Sequence, residues 1–300
     1  MAQPPLGPPP PEPPRPEPLL SVITVVRDDR DGLRRTRMSL AAQTVRDFEW
    51  LVSDGGSTDG TADDVAAALA DGLAAWVRSG PDGGPFGGMN RALAAARGRW
   101  LLFLNAGDRL AGPGVLAGLL PLLGARDGPD LILGDSAEPG AWGHPRRKRG
   151  RPASAIAYGM PTHHCAILYR RAAMAGLAYP EGFAVAADYA LTAALIRAGA
   201  RVARWPDCVA VTEPAGISGR LAERGRMEQD AIRRDVLKLG PVARAIIGLA
   251  QVTAGKLRTT LPKTYDALRY RPARERTVVG GMGTPDSTMR YADGSHNRAP

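Results

Sequence analysis

Four times between residues 19 and 108 a short, largely apolar run gives way to a turn that carries an acid, and this repeat narrows the possible folds more than any other feature. Residues 19–26 are followed by Asp28 and Asp29, 48–53 by Asp54, 76–78 by Asp82, and 100–104 by Asp108. Apolar runs without clean alternation are what strands covered on both faces require. The intervening stretches have helical spacing: Leu33, Arg37, Leu40 and Ala41 share a face within 32–43, and Met89, Leu93 and Ala96 line one side of 87–97. Thr61–Ala70 opens with Asp63 and Asp64, acids that suit the positive end of a helix dipole. Strand and helix alternating through short links predict an α/β fold, a mostly parallel sheet flanked by helices. Further along we expect a helix over 115–123, a strand over 131–133, an exposed basic loop over 144–151, a strand over 163–169, a helix over 187–197 and a helical segment over 221–257.

Composition sets the limits around that domain. The chain is 44% hydrophobic and 23% charged, the balance of a globular protein rather than a wholly disordered or membrane-embedded one. Ten prolines in the first 18 residues predict an extended, disordered leader without the basic start or apolar core of a secretory signal, which reads as a cytoplasmic protein. Residues 272–300 are polar and glycine-rich and read as a disordered tail. The two cysteines, Cys165 and Cys208, are too few for a disulfide framework and read as packing residues. Residues 220–276 hold 14 Arg and Lys against 6 Asp and Glu, a net of +8 within a whole-chain charge of +9. Nucleic acid is disfavoured as the partner because no aromatic-basic surface motif accompanies this charge. Within the segment, Val242, Ile246, Leu249 and Val252 recur at helical spacing beside Lys238, Arg244, Lys256 and Arg258. That pattern suits a helix lying on an anionic membrane surface, and equally one that packs its apolar side on the rest of the protein.

Ligands of an open α/β sheet bind beyond the carboxyl ends of its strands, so four acids at one sheet edge suggest a common cleft, although any one of them alone reads as a helix cap. Gly83, Gly84, Gly87 and Gly88 would let backbone and a helix N-terminus approach a diphosphate. No G-x-G-x-x-G follows the first strand, which disfavours a dinucleotide oxidoreductase. His163, His164 and Cys165, as consecutive strand residues, would point to alternate faces and could not share a zinc ion; one histidine is expected to line an acceptor or phosphate pocket.

The wording Ser21-Val-Ile-Thr-Val-Val, Asp54-Gly-Gly-Ser-Thr-Asp-Gly-Thr61 and Phe103-Leu-Asn-Ala-Gly-Asp108, followed by Phe183-Ala-Val-Ala-Ala-Asp188-Tyr189, resembles the family 2 glycosyltransferases of the GT-A fold over about residues 20–219. With Met89-Asn90 opening a helix, it is most similar to the colanic-acid and exopolysaccharide branch. The resemblance implies an inverting hexosyltransferase that takes a sugar from a nucleotide donor, a UDP-sugar, to a saccharide or lipid-linked acceptor. It implies donor contacts at Val25, Asp28, Asp54, Asp82 and Asn90, a Mg²⁺ or Mn²⁺ held by Asp108 with Asn105, and Asp188 as the general base. Two positions depart from the family pattern, Gly55 and Gly107 standing where acids are usual, so a non-catalytic protein that binds a nucleotide sugar is the alternative. The expected organisation is a leader over 1–18, the GT-A-like domain over 19–219, a basic helical extension over 220–271 and the tail over 272–300.

Overall fold

The computed structural model describes residues 17–138, 146–213 and 221–269. The leader up to residue 16, all of the expected tail and the expected boundary at 219/220 lie outside the described residues. The elements run β1 (Leu20–Val26), α1 (Arg30–Ala41), β2 (Phe48–Asp54), α2 (Thr61–Ala70), β3 (Trp76–Ser79), α3 (Pro85–Ala95), β4 (Trp100–Phe103), β5 (Arg109–Leu110), α4 (Val115–Leu123), β6 (Leu131–Glu138), β7 (Arg146–Lys148), β8 (Ile167–Arg170), α5 (Ala187–Arg197) and β9 (Val202–Val211). Three C-terminal helices follow: α6 (Ala222–Asp235), α7 (Pro241–Thr260) and α8 (Pro262–Arg269).

The strands form one sheet in the order β3-β2-β1-β4-β8-β6-β9-β5, with β7 pairing on β6. Strands β1 to β4 are mutually parallel and β8 runs against them, with Leu102 opposite Leu168. The alternation along β1 assigns its two faces. Leu20, Val22 and Val26 pack with Leu33 and Leu40 of α1, Val65 of α2 and Leu119 of α4. Ile23 and Val25 pack with Met89 and Ala92 of α3 and with Leu191 and Leu195 of α5. Apolar surface buried on both sides contributes roughly 25 cal/mol per Å², which is why the central strands tolerate so few polar residues. Thr24 is paired on both sides: it donates from Oγ1 to Leu104 O at 2.6 Å and accepts from Trp50 Nε1 at 2.9 Å.

Three expectations change. The basic loop over 144–151 is in part a strand: β7 pairs with β6, and its Arg147 meets the buried Asp135 at 2.9 Å, so a charge pair supplies what apolar residues do elsewhere. The strand over 163–169 begins only at Ile167; His164–Ala166 is a 3₁₀ turn, so strand alternation does not govern the two histidines. The apolar stripe of the C-terminal segment does not pack on the domain. On α7, Val242, Ile246, Leu249 and Val252 are exposed, while Ile247 is buried. Helix α7 is instead tied to α6 by Arg244 to Asp230 at 2.7 Å and Gln251 to Gln229 at 2.8 Å.

Candidate functional site

Parallel β1 to β4 deliver their carboxyl ends to one edge, and the loops there are cross-linked by the acids that the sequence singles out. Asp28, in a left-handed conformation at φ 49°, accepts the Thr58 N–H at 2.7 Å and donates its own N–H to Ser57 Oγ at 2.8 Å, joining the first two loops. Asp29 caps α1 through the Gly32 N–H. Asp54 is fully buried; its carboxylate accepts the Ser57 N–H and hydroxyl at 3.1 and 2.5 Å, and the Ser79 hydroxyl as well. The Asx-type role open to any turn aspartate is therefore the one Asp54 fills, and it shapes the loop that a ligand would meet. Asp82 accepts the Gly84 N–H at 2.9 Å, and its carboxylate lies over the start of α3. A Cβ on Gly88 would come within 2.6 Å of Asp82 Oδ2, and one on Gly87 within 1.9 Å of the Asp82 carbonyl, so the two glycines before Met89-Asn90 are what permit this approach.

Two expected donor contacts have other partners. Val25 is a buried core residue whose carbonyl accepts from the Ala106 N–H at 3.1 Å. Asn90 exchanges two hydrogen bonds with the Tyr179 backbone, at 2.9 and 2.8 Å, and thereby fastens the 179 segment to α3.

Because β8 is antiparallel to β4, the residues that precede it return to this same edge, and His164 arrives beside the turn that follows β4. Its Nε2 accepts from Asn105 Nδ2 at 3.2 Å, and its Nδ1 stands 4.0 Å from Asp188 Oδ2. Thr36 of α1 donates to the Asp108 carbonyl at 2.7 Å and holds the turn in place. Burial pushes the Asp108 carboxyl up to about 6, with the His164 imidazole opposing the shift. Asp188, second residue of α5, is also raised, again chiefly by burial and against His164. A helix N-terminus alone would favour the ionised form, but desolvation outweighs the dipole here. Asn105, His164, Asp108 and Asp188 thus share one half-enclosed region. His163 directly precedes the turn that carries His164.

Among the described residues no group of three or more His, Cys, Asp and Glu side chains is arranged to hold a metal by itself. The turn after β4 nonetheless offers two hard oxygen donors, the Asp108 carboxylate and the buried Asn105 Oδ1, which has no hydrogen-bond partner among the described residues. That pair fits a cation whose remaining ligands are phosphate oxygens. Gly107 is glycine for a steric reason. Its φ is +91°, and a Cβ there would meet Glu213 Cγ at 2.8 Å. Glu213, two residues past the end of β9 and paired with Arg35 at 3.2 Å, fills the space that a side chain at 107 would take. Sequence reading missed it because β9 carries no continuous apolar run.

The sequence profile of Glycosyl transferase family 2 matches residues 21–174, slightly more than half of the chain. The chain belongs to this family. An uncharacterised glycosyltransferase of Mycobacterium tuberculosis is 46% identical over 104 residues, covering 33% of this chain and 38% of that protein. A PGL/p-HBAD biosynthesis glycosyltransferase of Mycobacterium bovis is 37% identical over 120 residues, covering 39% and 46%. The aligned regions therefore span less than half of these relatives. Two solved structures share the fold. Staphylococcus aureus TarS in complex with UDP-GlcNAc has a TM-score of 0.58 at 20% identity, over 80% of this chain and 74% of that one. The mannosyltransferase PcManGT of Pyrobaculum calidifontis, in complex with GDP-Man and Mn²⁺, has a TM-score of 0.59 at 16% identity, over 85% of each chain. The GT-A-like arrangement expected of this family 2 chain is the one observed.

Proposed function

We propose that this family 2 chain is an inverting hexosyltransferase that moves a sugar from a nucleotide donor, a UDP-sugar, to a saccharide or lipid-linked acceptor during assembly of a surface polysaccharide of the exopolysaccharide type. The observation that carries this reading is the meeting of Asp188 with the Asn105–Asp108 turn through His164, which brings a buried base beside the place suited to a donor diphosphate. Membership of the family, and a relative named for PGL/p-HBAD biosynthesis, support the reaction class and a surface glycan.

The loops shaped by Asp28, Asp54 and Asp82 would receive the nucleoside, and the glycine-flanked start of α3 the diphosphate. Asp108, with Asn105 Oδ1, would hold a divalent cation, Mg²⁺ or Mn²⁺, which when bound neutralises charge on the leaving diphosphate. Asp188 accepts the proton of the acceptor hydroxyl as its oxygen attacks the anomeric carbon. The new C–O bond forms on one face while the bond to the diphosphate breaks on the other and the electron pair leaves with it, so the anomeric configuration inverts. His164 lines the acceptor side, with His163 behind it. Turnover tests the assignment. An enzyme releases nucleoside diphosphate from its donor when an acceptor fraction is supplied, whereas a binding-only protein gains thermal stability with donor and releases none.

We place the protein at the cytoplasmic face of a membrane. No described helix is long and apolar enough to cross one. Helix α7 has no acidic residue in its 20 positions, carries the exposed Lys256 and Arg258 besides Arg244, which Asp230 holds, and exposes the stripe Val242, Ile246, Leu249 and Val252. Basic residues near an anionic surface contribute on the order of 1 kcal/mol each, and the exposed apolar side chains add insertion into the interface. The full chain is expected to float with anionic liposomes and to be released by high salt. The double substitution Ile246→Glu with Leu249→Glu should abolish flotation; equal flotation of both proteins, or none by either, contradicts the membrane assignment.

A further inference from the structure

We propose that Glu228, on α6, is a positioning residue for the base at Asp188, so that the C-terminal helical extension is a working part of the transferase site. The inference rests on the base assignment above. Three consecutive backbone amides lead into α5, and all three donate to this one side chain: Ala184 N–H to Oε1 and Val185 and Ala186 N–H to Oε2, each at 2.9 Å. These are the N–H groups of Ala186, the residue at which α5 begins, and of the two residues before it, so the bonds fix the segment that enters the helix rather than its first turn. The acceptor comes from 42 to 44 positions further along the chain.

The approach of α6 is itself built for this contact. Gly225, one turn before Glu228, has no side chain where a Cβ would already lie 3.2 Å from Val185 Cγ1. Ile232 then packs with Ala186, Tyr189, Ala190 and Ala193 in a cluster spanning the two helices. The buried Arg233 donates from Nε to Ala157 O at 2.9 Å, and Tyr189 donates to Ile156 O at 2.7 Å, so α5, α6 and the 153–158 turn form one unit. Arg224 holds Glu228 Oε1 from the outside at 3.0 Å. Burial pushes the Glu228 carboxyl upward, but the three amides and Arg224 outweigh it and hold the group below its ordinary range. Ionised Glu228 presents two acceptors to three donors. A glutamine would present one acceptor and turn an NH₂ group against the others.

The segment held in this way ends two residues before Asp188, so its backbone sets where the carboxylate stands relative to His164 and the acceptor. Misplacing a reacting group by about 1 Å can lower a rate on the order of 100-fold. For Glu228→Gln we expect kcat to fall about 10- to 100-fold, with the donor dissociation constant within about two-fold of wild type and faster hydrogen exchange at the 184–186 amides. Gly225→Ala is the milder second variant; it pushes α6 and Val185 apart by a few tenths of an ångström and should lower kcat by a smaller factor with the same unchanged donor affinity. A wild-type kcat in a folded Glu228→Gln protein overturns the proposal, and so does a loss of donor affinity in proportion to kcat. If Glu228→Gln does not fold, a wild-type kcat in Gly225→Ala overturns it. Asp188→Asn, assayed alongside, separates this from failure of the base assignment: if that variant keeps wild-type turnover, the base assignment falls, whatever Glu228 does.

Discussion

Asp188→Asn is expected to lower turnover about 10²- to 10⁴-fold while leaving the affinity for nucleotide sugar within a few-fold of wild type. The amide preserves the size and planarity of the side chain and can still accept the Tyr189 N–H that Asp188 Oδ1 now takes at 2.7 Å. What it cannot do is take the proton of an acceptor hydroxyl. Burial raises the Asp188 pKa above the ordinary carboxylate value of 3.8, which makes the group a stronger base than an exposed aspartate. Only the ionised form can accept a proton. The acid limb of the kcat/KM profile of wild type should therefore lie above the ordinary carboxylate range. Steady-state kinetics on both proteins, with donor binding measured separately by calorimetry, provide the check; turnover by Asp188→Asn within a few-fold of wild type removes this residue from the base role.

Asp108→Asn is expected to move stability and function in opposite directions. Burial lifts the Asp108 carboxyl from 3.8 to about 6 in the folded protein. Below pH 3.8 the group is protonated in both folded and unfolded states and costs nothing. Between 3.8 and 6 the unfolded chain ionises more readily than the folded one, and above pH 6 the penalty is complete. Two pKa units correspond to about 3 kcal/mol, so at pH 7.5 and without divalent cations the variant should melt several degrees above wild type. The same substitution removes the anionic oxygen facing the proposed cation, and any Mn²⁺-dependent gain in donor affinity should disappear. Thermal denaturation with EDTA and with Mn²⁺ plus donor reads both effects. A variant less stable than wild type in EDTA contradicts the cost assigned to the buried carboxylate, and an unchanged Mn²⁺ effect contradicts its ligand role.

The legible part of this fold lies where one strand is buried on both faces by its own apolar residues. Strands β1 to β4 and helices α1 to α5 announce themselves by period, and the acids after the strands by position. Strands β7 and β9 do not. The first is Arg146–Lys148 and depends on Asp135 of the neighbouring strand; the second contains Pro206 and Asp207 and has no buried residue before Val209. The direction of β8 is a long-range property, and it alone brings His164 to Asp188 and Asn105. Asp54, Asp82 and Asp108 were visible as candidates, but what each one touches was not: Ser57 and Ser79 for Asp54, the start of α3 for Asp82, and the Glu213 side of the cleft for Asp108. Glu213 and Glu228 act only through space, from the segment just after a strand without a continuous apolar run and from a helix that looks from its sequence like a solvated basic extension.

Thermal stabilisation by a panel of nucleotide sugars, nucleoside diphosphates and NAD⁺, each with and without Mn²⁺, tests the central assignment most directly. A ligand that binds only the folded state raises Tm according to its concentration over its dissociation constant, about 2.7 kcal/mol at a hundred-fold excess. We predict that one UDP-sugar and UDP itself raise Tm, that Mn²⁺ enlarges both shifts, and that NAD⁺ produces none. A shift with NAD⁺, or no shift with any nucleotide sugar in the presence of Mn²⁺, would contradict a nucleotide-sugar site at this edge of the sheet.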